Sequence, residues 1–279
     1  MKRRDFIKSV LTVAALSPLA NNIVNAGSKN NKSISEKEKS MKVLIINGSP
    51  RVNGNTSIAL QEMDKVFQEE KIETEIIQIG MKNIRGCIAC GNCHERGKCV
   101  FDDIVNEVAP KFEQADGLVV GTPVYYASAN ATLLAFLQRL FFSTRFAKTM
   151  KVGAGVAVAR RGGITATYDE LNKFFGISGM PIATGQYWNG VHGMNPGEAK
   201  EDAEGLQQMR TLARNMIFLM KAIKDAKDKY GLPKKEDGII TKLENTQFST
   251  LNSQLSKLRL VPSLSQPLSP SPSYLKLKC

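Results

Sequence analysis

Four cysteines fall within thirteen residues, Cys87-x2-Cys90-x2-Cys93-x5-Cys99, and Gly86, Gly91 and Gly97 let the chain wrap around them. Four thiolates can ligate a [4Fe–4S] cube, one per iron. The spacing is not the ferredoxin run, whose fourth cysteine follows after three residues and precedes proline; here Val100 follows Cys99. Other chemistry is open to the same set. Zinc accepts four cysteines, usually as two well-separated pairs. An exported domain could close two disulfides, in any of three connectivities, or keep free thiols. His94 lies inside the loop, where it could ligate or face solvent.

A second stretch has the makings of an anion site. Gly48-Ser49-Pro50-Arg51-Val52-Asn53-Gly54-Asn55-Thr56-Ser57 links an apolar run to a helix start. Glycines and asparagines let successive N–H groups face one point. Ser49, Asn55, Thr56 and Ser57 add side-chain donors, and the helix start adds partial positive charge. The loop lacks the lysine of a triphosphatase P-loop and the G-x-G-x-x-G of a dinucleotide site, so a single terminal phosphate suits it best. The alternative is an ordinary polar connection with a helix cap. Two further segments suit a flat ring. In Thr122-Pro123-Val124-Tyr125-Tyr126-Ala127-Ser128 a tyrosine could stack on it or pack beneath a loop. In Ala159-Arg160-Arg161-Gly162-Gly163 the glycines permit close backbone approach, and Arg161 adds positive charge.

Alternating elements must position these segments. Met41–Gly48, Gly117–Gly121 and Lys151–Ala159 are short apolar runs suited to buried parallel strands. Glu73–Ile79 alternates as an edge strand would, and Ile182–Trp188 reads as a fifth strand. Helices are expected from a cap at Thr56 or Ser57 to Glu70, from Asp102 or Asp103 to Gln114, over Asn130–Lys148 and Ala166–Phe175, and from about Gly197 to Lys229. Strands separated by helices imply βαβ units: an α/β fold with a doubly wound sheet of five parallel strands, order 2-1-3-4-5, and helices on both faces. Ligands then bind at the carboxyl ends of strands 1 and 3, which are the loops after Gly48 and Gly121. Leu133, Leu134, Phe136, Leu137, Leu140, Phe141, Phe142 and Phe146 make one helix apolar on more than one face, as a thick core or a homo-oligomer contact would require.

The ends differ from this middle. Of the net charge of +12, residues 1–40 hold +5, residues 242–279 hold +4 and the 201 residues between only +3. The basicity is terminal, and no aromatic-interleaved basic stripe points to nucleic acid. No apolar run reaches the eighteen or so residues of a membrane span. Lys2-Arg3-Arg4-Asp5-Phe6-Ile7-Lys8, an apolar stretch to Ala20 and the small-residue site Val24-Asn25-Ala26 read as an export signal over residues 1–26, resembling the twin-arginine type without its usual leading serine. A polar linker follows at 27–40, then the domain at 41–241. A Ser/Pro/Leu-rich tail at 242–279 lacks any period and reads as disordered, with Cys279 as a bystander. Export implies a periplasmic protein; translation from Met41 would give a cytoplasmic one.

The loop NGSPRVNGNTS resembles that of the flavodoxin-like flavin reductases, especially the iron–sulfur flavoprotein branch. The resemblance covers about residues 41–230. It implies FMN, its phosphate on Ser49, Arg51, Asn53, Asn55, Thr56 and Ser57, and its ring along Pro123, Val124, Tyr125 and Tyr126 and beside Arg161, Gly162 and Gly163. The compact Cys87, Cys90, Cys93, Cys99 motif resembles the branch's cluster site. Trp188 and His192 also lie in a family-like stretch, near the flavin or in packing roles. The implied activity is FMN-dependent electron transfer to a small acceptor, a quinone or flavin, with NAD(P)H or a redox partner protein as donor. A flavodoxin-type electron carrier that docks partner proteins is the second reading.

Overall fold

The computed structural model of the chain describes residues 40–239. The expected signal, nearly all of the linker and the tail from 242 lie outside the described residues. The chain divides into two compact units, residues 1–225 and 226–279. Within the first, β1 (Lys42–Asn47) leads to α1 (Asn55–Glu69) and β2 (Glu73–Gln78). One turn of helix, α2 (Cys93–Arg96), interrupts the cysteine loop before α3 (Ile104–Gln114). Then come β3 (Gly117–Tyr125), β4 (Ser128–Ala129), α4 (Ala131–Ser143), β5 (Val152–Ala159), α5 (Ile164–Ile177) and β6 (Gly190–His192). A 3-10 turn at Glu198–Lys200 precedes α6 (Ala203–Tyr230), whose residues from Ala226 on are counted in the second unit. In the second unit, the described residues beyond Tyr230 form no further regular element.

The sheet runs β2-β1-β3-β5-β6 in parallel, and β4 pairs antiparallel with β3. The five parallel strands keep the expected doubly wound order. Both faces are covered, as near-continuous apolar strands require. Val43 and Ile45 of β1 pack with Leu60 and Met63 of α1 and Leu212 and Met216 of α6. Leu44 and Ile46 pack on the other side with Phe112 of α3, Phe136 and Leu140 of α4 and Phe175 of α5. Much of α4's apolar surplus is absorbed here: Phe141 meets Phe112, Phe174 and Phe175 at ring separations of 5.5, 5.5 and 6.4 Å, while Phe142 stays 58% exposed.

Several boundaries depart from the sequence expectation. The fifth strand is Gly190–His192; Ile182 makes only an isolated parallel bridge to Gly153. Between them the backbone is claimed by side chains. Gln208 Oε1 accepts the amides of Gln186 and Tyr187 at 3.0 and 3.1 Å, and Asn189 Oδ1 accepts that of Gly185 at 3.2 Å. The cap of α1 is Gly54, not Thr56 or Ser57, which lie inside its first turn. Helix α4 stops at Ser143, where Thr144 turns extended and its hydroxyl takes the Leu140 carbonyl at 2.7 Å. Helix α6 begins only after Asp202, whose carboxylate receives the amides of His192 and Gly205 at 2.6 and 2.9 Å. Asp103 caps α3 as expected, accepting from Val105 N at 3.1 Å.

Candidate functional site

The carboxyl ends of β1, β3 and β5 bring the three expected flavin segments side by side. Gly48 N donates to Gly121 O at 2.8 Å, tying the first loop to β3. The first loop is then braced from within. The buried Asn47 donates to Ser57 Oγ at 2.9 Å and accepts from Ser49 N at 3.0 Å. Ser49 Oγ accepts from Arg51 N at 3.1 Å, Ser57 Oγ donates to Val52 O, and Gln78 donates to Ser49 O. Gly80 faces this backbone so closely that an added Cβ would land on the carbonyl of Ser49.

These bonds divide the expected phosphate residues into two sets. Ser57 and Asn55 spend their side chains on the fold: Asn55 donates to Asn195 O at 2.9 Å and accepts from Gly197 N and Ala199 N at 3.0 and 3.2 Å. What remains for an anion is backbone. Gly54 offers no side-chain cap, and the amides of Asn55, Thr56 and Ser57 have no acceptor among the described residues. Four amides at every helix start lack intrahelical partners, and here the first three are left uncapped on a largely buried turn. Thr56 beside them is 2% exposed. That is the cradle a phosphate dianion fits. Arg51 and Asn53 stand exposed at its rim.

In the second segment β3 continues past its expected end to Tyr125 and turns back through Tyr126 and Ala127, both left-handed at φ +49° and +60°. Glu170 of α5 holds the return strand, accepting from Ser128 Oγ and Ala129 N at 2.9 and 2.8 Å. Pro123 and Val124 are half-buried, Tyr125 is 47% exposed and Tyr126 fully so. The third segment lies against this hairpin. Gly163 has φ +94°, and a Cβ there would stand 2.8 Å from Val124 Cγ1 and 3.0 Å from Ala127 Cα. Arg161 and Gly162 are exposed beside it. The same loop lines a cleft of about 300 Å³, together with Trp188, His192 and Gln208 among others. Trp188 leans on Tyr168 and Tyr187 at 6.1 and 5.8 Å, forming an aromatic wall.

The four expected metal ligands, Cys87, Cys90, Cys93 and Cys99, line one small hollow of about 20 Å³, closed by Arg139, Phe142 and Ser143 of α4 among others. All four thiols are free. Among the described residues no three ligand-type side chains are drawn close enough to grip a single ion. Four thiol donors around one hollow are the donor type and number of an iron–sulfur ligand set, although the hollow itself is only of water size. A further observation agrees. Ser143 lines this hollow, and its buried Oγ has no hydrogen-bond partner among the described residues, an orphan that calls for an explanation. Cys87 and Cys90 are exposed, and the amide of Asn92 pulls the Cys90 thiol below its ordinary range. Cys99 is pinned instead: Asn106 accepts from its amide at 3.0 Å and donates to its carbonyl at 3.1 Å.

Residues 41–193 match the profile of the NADPH-dependent FMN reductases. The chain belongs to the NADPH-dependent FMN reductase family. With that membership it is an FMN-dependent oxidoreductase of flavodoxin-like fold. Within this FMN reductase's neighbourhood is an iron-sulfur flavoprotein of Methanocaldococcus jannaschii, 37% identical over 66% of this chain and 100% of the relative. Another, from Methanosarcina thermophila, is 32% identical over 68% of this chain and 100% of its own length. The crystal structure of RosB with bound 8-demethyl-8-formylriboflavin-5'-phosphate shares the fold, with TM-score 0.53 and 16% identity over 86% of this chain and 96% of that one.

Sequence reasoning missed Arg139, Ser143 and the bracket formed by Gln208. One signal was available for the first: a lone arginine inside the run Leu137-Gln138-Arg139-Leu140-Phe141-Phe142 must either snorkel or find a buried partner.

Proposed function

We propose that the reductase seats FMN with its phosphate on the uncapped start of α1 and its ring between the Tyr125–Tyr126 hairpin and the Arg161-Gly162-Gly163 loop. Electrons then pass to a small acceptor, a quinone or free flavin. The observation that carries the reading is the buried helix start with three unsatisfied amides, aligned with the ends of β1, β3 and β5. We assign Cys87, Cys90, Cys93 and Cys99 to a [4Fe–4S] cluster, on the shared hollow, the orphaned Ser143 hydroxyl and the likeness to iron-sulfur flavoproteins. FMN supplies two-electron uptake with one-electron release, and a cluster handles single electrons, so the pair links both regimes. The residues' own tasks are narrower. The α1 amides and Thr56 anchor the anion, Gly163 brings the backbone up to the ring, and Arg161 supplies positive charge at its edge.

The cleft beside Gly163 favours an enzyme over an electron carrier, because a carrier needs only an open flavin edge whereas a small acceptor needs a concave site. NADPH is the donor the family suggests. Export by the residue 1–26 signal would substitute a redox partner protein, and a homo-oligomer is compatible with the exposed Phe142. An absorption spectrum of anaerobically purified full-length protein tests the reading. Paired flavin bands with a broad brown shoulder are expected. Flavin bands without iron would remove the cluster alone, and a colourless folded protein that also ignores added FMN would remove the whole assignment.

A further inference from the structure

Arg139 is the largest fully buried side chain among the described residues, 1% exposed and set in the apolar helix α4. A buried guanidinium is costly unless its donors are matched. Its matching is specific. NH1 and NH2 donate to Asp103 Oδ2 and Oδ1 at 2.7 and 2.9 Å, a two-point clasp onto the residue that also caps α3. NH1 reaches Arg85 O at 3.3 Å, and the guanidinium lies 4.9 Å from the centre of the Phe101 ring. The edge left over faces a sulfur: Nε and NH2 stand 3.3 and 3.2 Å from Cys99 Sγ. Anchoring to Asp103 needs only the two terminal nitrogens. Nε, with the second hydrogen of NH2, thus aims a fixed pair of donors and a buried positive charge at one of the four sulfurs. Ser143, four residues further along α4, lines the same hollow, and its buried hydroxyl has no hydrogen-bond partner among the described residues.

We propose that Arg139, oriented by Asp103, is a positioning residue for the iron–sulfur site: it fixes the Cys99 sulfur and stabilises negative charge on it, which raises the reduction potential of the cluster. The proposal rests on the cluster reading above. Reduction adds one electron to the cluster–thiolate unit and breaks no bond, so the reduced form carries one more negative charge. Hydrogen bonds and positive charge at a ligating sulfur stabilise that form more than the oxidised one. Cys87 and Cys90 are exposed whereas Cys99 is held at its sulfur, amide and carbonyl, so the asymmetry makes Cys99 the fixed corner of the set.

The test is a redox titration of the full-length protein, reconstituted anaerobically with iron and sulfide, alongside R139K and R139M. FMN binding serves as the check on folding. R139K keeps a cation but loses the fork; R139M loses both. We expect both variants to bind FMN and to show a cluster midpoint shifted negative, more so in R139M. Iron should also escape to a chelator about 10–100-fold more readily, the range typical of lost outer-shell hydrogen bonds. Should R139M fail to fold, R139K decides. R139K that binds FMN but retains no iron, as C99S would, supports the anchoring of Cys99. Wild-type and variant midpoints that coincide, with equal iron retention, overturn the proposal while leaving the cluster in place. Wild-type protein that takes up FMN but no iron overturns the cluster reading itself.

Discussion

Thr56 and Asn55 are neighbours in sequence and belong to different machinery. Thr56 sits beside unsatisfied amides, so Thr56→Ala removes a hydroxyl from the anion cradle. A hydrogen bond to a charged group contributes about 1.5–3 kcal/mol, so FMN affinity should fall roughly tenfold or more while the melting temperature of the FMN-free protein holds. Asn55→Ala breaks three hydrogen bonds to the 195–199 turn instead. It should lower that melting temperature. Fluorescence-quenching titrations and thermal melts on both variants separate the two roles, and equal affinity in Thr56→Ala and wild type would move the phosphate elsewhere. The cysteines divide in a similar way. In iron-free protein Cys90, exposed and with its thiol shifted toward the reactive thiolate, should be alkylated well before the half-buried Cys99. Peptide mapping after brief iodoacetamide treatment reads the order.

Elements hold these residues in place through contacts that sequence patterns reveal unevenly. Buried strands and the 2-1-3-4-5 winding were legible because β-branched apolar runs separated by helix-length segments leave few alternatives. The β3–β4 turn was not. Its two left-handed positions usually call for asparagine or glycine, and here they are Tyr126 and Ala127. The displaced fifth strand was illegible too, because a side chain from α6, more than twenty residues away, captures the amides that would have paired. Likewise, composition could mark Asn55 and Ser57 as donors without showing that the fold itself uses them. Gly80 gives an element-scale test. Any Cβ there meets the Ser49 carbonyl, so Gly80→Ala must push the anion loop off β2 and should lower both stability and FMN binding, which calorimetry can follow. A second test concerns α1 and α6. Arg210 bridges to Glu62 at 2.5 Å, and although burial pushes the Glu62 carboxyl up, Arg210 and Lys65 outweigh it and hold it below its ordinary 4.5. A lowered folded value means the stabilisation is present above about pH 4.5 and fades as pH falls through that lower value. Glu62→Gln should therefore cost roughly 0.5–1 kcal/mol in chemical denaturation at pH 7, and progressively less as the pH is lowered below about 4.5.

For the molecule as a whole, FMN is a ligand of the folded state only. At a hundredfold excess over its dissociation constant it should add about 2.7 kcal/mol, a rise in melting temperature of roughly 5–10 °C for a domain of this size. Gly80→Ala should forfeit most of that rise. The hairpin at Tyr126 and Ala127 has a bearing on the same balance. Holding an ordinary residue left-handed costs on the order of 1 kcal/mol, and the cooperative fold must carry that load. Ala127→Gly should make the protein hardier to heat. Yet the same change would let the ring of Tyr126 wander, so a sturdier variant that turns over more slowly would show that this loop keeps its aim through tension.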